Sequence, residues 1–172
     1  MARRPEFRYY PGFYEDAVQD KGVVCDCCGE LGDVHTEMFY TSRDVFAVCP
    51  SCVASGRAAE TFHGTFVARH DPASQVSAEA LAELTERTPA FPAKRNPYWR
   101  AHCGDFCKYV GRTDPEALRR EGVYERVMAE YDENVHQIPD LHERLSRAPG
   151  SVSLHRFECM KCGRPLIWAE LA

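Results

Sequence analysis

Cys25-Asp26-Cys27-Cys28-Gly29, with twenty residues between Cys28 and the following Cys49-Pro50-Ser51-Cys52, is the stretch on which the fold turns. Cys25 with Cys28, and Cys49 with Cys52, give the C-x₂-C…C-x₂-C spacing of a four-thiolate zinc site. Two thiolates two residues apart can face one ion when the backbone makes a tight turn. A glycine after the second cysteine supplies the left-handed conformation that such a turn needs. Two of these knuckles close a tetrahedron with metal–sulfur distances of about 2.3 Å and no open position, so the site is expected to be structural. Cys27 is a thiol in excess: a small buried hydrophobe, or a replacement for Cys25 as ligand. Between the knuckles, residues 35–40 and 45–48 read as short strands joined by a turn at 41–44. Residues 23–64 are thus expected to form a zinc-ribbon-like unit.

A second knuckle of the same kind, Cys159-Met160-Lys161-Cys162-Gly163, lies near the end of the chain. It needs partners. Trp99, His102, Cys103, Phe106, Cys107 and Val110 recur at the spacing of one helix face, which predicts a helix over 98–109. On that helix Cys103 and Cys107 stand at i, i+4, as two ligands of one ion do. His102 is about 100° away round the helix. The expected second site is Cys103, Cys107, Cys159 and Cys162, one zinc being expected at the first site and a second possible here.

Composition agrees with a metal-stapled chain. Val, Leu, Ile and Phe make up about one fifth of the 172 residues, a thin supply for a core, while cysteine occurs nine times. An odd cysteine count fits a disulfide framework poorly. No run of eighteen apolar residues exists and the N-terminus carries no apolar signal core, so a cytoplasmic chain with no membrane association is expected. In that reducing compartment clustered cysteines serve metal or redox chemistry. The formal net charge is −5. It is unevenly spread: residues 1–86 hold 7 basic and 14 acidic side chains, and residues 87–172 hold 14 and 12.

Outward from the knuckles, residues 1–22 read as an irregular lead-in whose rings lie across the body of the protein. The pattern from Pro50 to Phe62 is helical and stops at Gly64. Residues 70–76 form a loop, and Ser77 caps a helix over 78–87. Residues 88–97, with three prolines, read as a linker or surface crossing. Asp114-Pro115 starts a helix that runs, with a break at Gly122, to about Tyr131. A short turn follows Asp140, and residues 152–157 and 166–171 alternate like strands. The whole predicts a single small α+β domain, 1–172. Its ribbon-like β-hairpins carry the knuckles, with three to four helices, and residues 98–172 supply the helical part and the C-terminal knuckle hairpin.

Other chemistry finds little support. His102-Cys103 resembles a base–nucleophile pair, but neighbours on a helix point apart. No phosphate-binding glycine loop is present. His35, His63, His70, His136, His142 and His155 show no convergent spacing and read as surface or capped side chains. The basic segment 94–120, with Lys94, Arg95, Arg100, Arg112, Arg119 and Arg120, offers a nucleic-acid surface beside Tyr98 and Trp99. Glu116, Glu121 and Glu125 interleave with it, as on a salt-bridged helix face, and Trp99 falls on the apolar stripe.

Several motifs together resemble the CbrC family, bacterial proteins linked to colicin tolerance. They are Phe7-Arg-Tyr-Tyr-Pro11, Cys25-x-Cys-Cys-Gly29, Cys49-Pro-x-Cys52, Gly56-x-Ala-Ala-Glu-x-Phe62, Arg87-Thr-Pro89, Trp99-x-x-His-Cys-Gly-Asp-x-Cys107 and Phe157-x-Cys-x-x-Cys-Gly163. The resemblance implies a cytoplasmic, non-enzymatic protein that confers toxin tolerance or immunity by binding a protein partner. The acidic N-terminal half suits a basic partner, such as a bacterial toxin. The alternative is a nucleic-acid-binding zinc protein that uses residues 94–120.

Overall fold

The N-terminal rings lie in the core. A computed structural model of the chain describes residues 4–36, 38–72, 76–135 and 137–172. Phe7, Tyr9, Tyr10 and Phe13 are all buried, with the short helix α1 (Phe13–Asp16) turning the chain back. The lead-in is not irregular throughout. Strand β1 (Val18–Val24) pairs antiparallel with β2 (Leu31–His35), and the first knuckle is the turn between them.

Among the described residues the strand pair expected at 35–40 and 45–48 does not form. After β2, pairing shrinks to single bridges, Thr36 with Val48 and Tyr40 with Thr65. Cys49 is instead the N-cap of α2 (Pro50–Ala54), with Pro50 at its first position, where a missing N–H costs nothing. The second half of the first cluster therefore stands at a helix N-terminus and not on a ribbon. Gly56, at φ 74°, breaks the helical run, and α3 (Arg57–Phe62) follows. Strand β3 (Arg69–His70) leads to α4 (Ala78–Arg87), where the Ser77 side chain accepts the Ala80 N–H as expected. The loop expected at 70–76 lies partly outside the described residues, as does His136.

No helix forms over 98–109. Strands β4 (Tyr98–Trp99), β5 (Ala101–His102), β6 (Asp105–Phe106) and β7 (Lys108–Thr113) occupy that stretch. β5 and β6 are a hairpin whose two-residue turn, Cys103-Gly104, has φ of 55° and 75°. Positive φ at both central residues is the turn that matches the twist of paired strands. β7 then pairs with β8 (Val152–Glu158), and β8 with β9 (Pro165–Leu171), in an antiparallel sheet. Between β7 and β8 stand α5 (Pro115–Arg120), α6 (Tyr124–Asn134) and α7 (Leu141–Arg147). The helices total seven among the described residues, more than the three to four expected, because several are single turns.

Successive residues of a strand face opposite ways, and β9 is buried on both sides. Leu166 and Trp168 join the core built from the N-terminal rings, Phe91 and Trp99. Ile167 and Ala169 join a second core with Leu118, Val127, Tyr131, Leu141 and Leu145 of α5 to α7. The proline-rich crossing at 88–97 is not a surface linker. Phe91 is fully buried and stacks on Tyr109 at 4.3 Å, because its ring fills the gap between crossing and sheet.

The cores are pinned by buried charge. Arg100 is 1% exposed. Its Nε donates to Asp71 at 3.0 Å and its guanidinium to Glu130 of α6 and the Ile167 carbonyl of β9. Glu170, also buried, accepts the backbone N–H of Lys94 at 3.1 Å and of Arg95 at 3.0 Å, and lies 3.0 Å from His155 Nε2. The crossing is thereby tied to the sheet. No helix among the described residues is long and apolar enough to cross a membrane.

Candidate metal centres

The two C-x₂-C-Gly turns are built alike. At the first, Cys25 N–H donates to the Glu30 carbonyl at 3.0 Å and Gly29 N–H to the Cys25 carbonyl at 2.8 Å. At the other, Cys159 N–H donates to the Arg164 carbonyl and Gly163 N–H to the Cys159 carbonyl, both at 2.9 Å. Gly29 and Gly163 have φ of 75° and 68°, which a side chain would strain.

The first turn is completed by the helix N-terminus. Asp26 links the two, its Oδ2 accepting the N–H groups of Phe46 at 2.7 Å and Ala47 at 2.9 Å just before Cys49. As a result the thiols of Cys25, Cys28, Cys49 and Cys52 all lie within 4.8 Å of one another. Tetrahedral bonds of about 2.3 Å to sulfur imply sulfur–sulfur edges of about 3.8 Å. Cys28 Sγ and Cys49 Sγ are 3.9 Å apart. Cys27 is half-buried and stands outside this set.

The other turn is completed differently from expectation. His102, Cys103, Cys159 and Cys162 bring one donor atom each within 4.8 Å of the rest. His102 Nδ1 is 3.1 Å from Cys103 Sγ and 3.4 Å from Cys162 Sγ. Sulfur–nitrogen edges of about 3.6 Å suit a tetrahedron of three thiolates and one imidazole. Cys107 is not among these residues. With a hairpin in place of the helix, the i, i+4 relation vanishes, and Cys107 is fully buried in the core. His102 takes its place because the left-handed turn at Cys103-Gly104 swings two neighbouring residues towards one point. Gly104 was the available signal, since a glycine is costly inside a helix.

The thiols respond to this crowding. Burial acts to raise the Cys25 thiol, but backbone N–H groups of Cys49, Cys28 and Cys27 outweigh it and hold it below the ordinary range. Cys159 behaves in the same way: burial opposes, yet the N–H groups of Cys162 and Lys161, with His102, bring it to about 6. Their neighbours go the other way. Burial, then the adjoining thiols, raises Cys52, and a hydrogen bond with Cys162 is the main cause raising Cys103. Negative charge gathered on one sulfur discourages it on the next. A divalent cation removes that conflict, so the donor sets fit a metal ion. The first set is largely shielded, whereas Cys103 and Cys162 are exposed.

Other histidines differ from expectation. His155 is fully buried, with Tyr109 Oη 3.2 Å from its Nδ1 and Glu170 at its Nε2. Burial holds its pKa below the usual histidine value despite Glu170. His35 is buried as well. Neither was legible from spacing.

An uncharacterised protein family, UPF0167, matches residues 4–171, and the chain belongs to it. Similar proteins include UPF0167 protein PA1536 of Pseudomonas aeruginosa, 27% identical over 168 residues and covering 93% of both chains. UPF0167 protein Mb2317 of Mycobacterium bovis and UPF0167 protein MT2352 of Mycobacterium tuberculosis are each 28% identical over 186 aligned positions. Each alignment covers 98% of this chain and 94% of the relative. No solved structure matches the chain significantly.

Proposed function

We propose that the chain is a zinc-stapled, non-catalytic binding protein. The observation that carries this is the pair of like-built Cys-x₂-Cys-Gly turns, each completed to four donors from elsewhere in the chain. Four thiolates, or three with an imidazole, are structural zinc sets. Such soft donors disfavour magnesium and calcium. Both sets use all four tetrahedral positions and leave none for substrate. With eight donors so engaged, the remaining thiols are Cys27 and the core residue Cys107, and burial raises the Cys107 thiol. A cytoplasmic setting keeps such thiols reduced. Zinc then supplies folding free energy that a thin core lacks.

On this reading the protein acts through a partner. The acidic half, residues 1–86, favours a basic protein, and tolerance or immunity to a bacterial toxin is the role that the CbrC resemblance adds. The nucleic-acid alternative is weakened because Arg100, central to the basic segment 94–120, is buried between Asp71 and Glu130.

Native mass spectrometry of freshly purified protein, with a denatured control, tests the proposal. Two zinc ions per chain are expected, both lost on denaturation. A metal-free folded chain, or zinc bound without effect on folding, overturns it. Binding to generic duplex DNA that collapses between about 50 and 200 mM salt would favour the alternative.

A further inference from the structure

A cleft of about 340 Å³ opens between four stretches far apart in sequence. They are α1 and the turn before it, the end of β2, the crossing at 90–94, and Arg112 on β7. None of the eight candidate metal ligands lines it. Its volume lies at the small end of the roughly 300–1,000 Å³ range of ligand pockets.

The lining has two chemical characters. Tyr10, Phe13 and Ala90 are buried and, with Pro92, make an apolar wall. Lys94 and Arg112 bring two cations. Among the described residues Asp16 is the single carboxylate of the lining, and its Oδ2 already accepts the Tyr10 hydroxyl at 2.8 Å. Among the described residues neither Lys94 nor Arg112 forms an ion pair. An excess of cations is unusual for a chain of net charge −5.

Both cations ride on fixed backbone. The N–H groups of Lys94 and Arg95 are held by buried Glu170, and Arg112 stands opposite His155 in the β7–β8 register. Glu170 is in turn held by His155. The backbone that carries them is already ordered, so binding costs only the freedom of the two side chains.

We propose that this cleft binds a small organic carboxylate with an apolar or aromatic body. Lys94 and Arg112 take the carboxylate, and the rings of Tyr10 and Phe13 with Pro92 take the body. A neutral analogue loses the charge-assisted contacts, and a cationic one meets two like charges.

The probes are benzoate, benzyl alcohol and benzylamine, titrated into the metal-replete full chain and followed by backbone-amide NMR. Benzoate is expected to give saturable shifts concentrated at Ala17, Thr36, Ala93, Lys94 and Arg112. Benzyl alcohol should bind more weakly and benzylamine not at all. Lys94→Gln and Arg112→Gln change exposed side chains, so both variants should keep the wild-type spectrum. Each should weaken benzoate about tenfold, and the pair should abolish binding. The proposal is overturned if benzylamine binds better than benzoate. It is equally overturned if benzoate fails to saturate, shifts residues elsewhere, or binds both variants as it binds wild type.

Discussion

Arg100→Met is the substitution whose cost follows most directly from the structure. The guanidinium is 1% exposed and joins three elements: Asp71 after β3, Glu130 on α6, and the Ile167 carbonyl on β9. Methionine keeps much of the apolar stem but removes the guanidinium that two carboxylates and a carbonyl share. Breaking a buried ion pair from one side costs about 3–5 kcal/mol. Here Asp71 retains the Ala101 N–H at 2.7 Å, and both carboxylates keep 12% of their side-chain surface in water. These place the expected loss near the lower end, at about 3 kcal/mol. For a chain of this length that lowers Tm by about 6–12 °C. Urea unfolding followed by circular dichroism measures it, with an unchanged denaturant slope as the sign that the folded state is the same. The triple variant Arg100→Met, Asp71→Asn, Glu130→Gln should recover much of the loss, since no uncompensated charge remains. A single-variant loss below about 1 kcal/mol, the level of an exposed pair, would refute the reasoning.

Three further outcomes are expected. His102→Ala should lose one zinc per chain while Cys107→Ala keeps both, as read by native mass spectrometry; the reverse pattern would restore the all-cysteine second site. Phe91→Ala should cost about 3–5 kcal/mol in urea unfolding, because the ring is core; a loss of a few tenths would mark residues 88–97 as a surface linker after all. Burial depresses the His155 pKa, so the folded chain resists a proton that the unfolded chain accepts. Its contribution is fully present above about pH 6.5 and is lost as pH falls from there towards the folded value. Wild type should therefore lose more stability than His155→Gln between neutral and mildly acidic pH. Parallel pH profiles would contradict this.

Local chemistry was legible where a residue type has a single structural use. Ser77 and Asp114-Pro115 mark the starts of α4 and α5, and Gly122 separates α5 from α6. The knuckles at Cys25–Gly29 and Cys159–Gly163 were visible from spacing and glycine, and so was the β8–β9 hairpin. The second cluster was only half visible. Trp99, Cys103, Phe106 and Cys107 satisfy a helical period, yet short strands bury residues in patterns that mimic it over so few positions. Cys103-Gly104 is a weak hairpin signal beside the usual Asn-Gly or Asp-Gly, so the turn that presents His102 is not legible from the sequence. β1 was hidden because Gln19-Asp20-Lys21-Gly22 interrupts its apolar residues, and its ladder carries an irregularity there. The buried contacts of Arg100 and Glu170 depend on partners 15 to 76 residues away, which no local pattern encodes.

Zinc-edge X-ray absorption on the metal-replete protein is the decisive test of the two proposed metal centres. The structure offers four thiols at one site, and three thiols with one imidazole at the other. Two zinc ions per chain are expected, sharing seven sulfurs at about 2.3 Å and one nitrogen at about 2.0 Å. Sulfur alone at both sites, or an oxygen ligand that reveals an open position, would contradict that expectation.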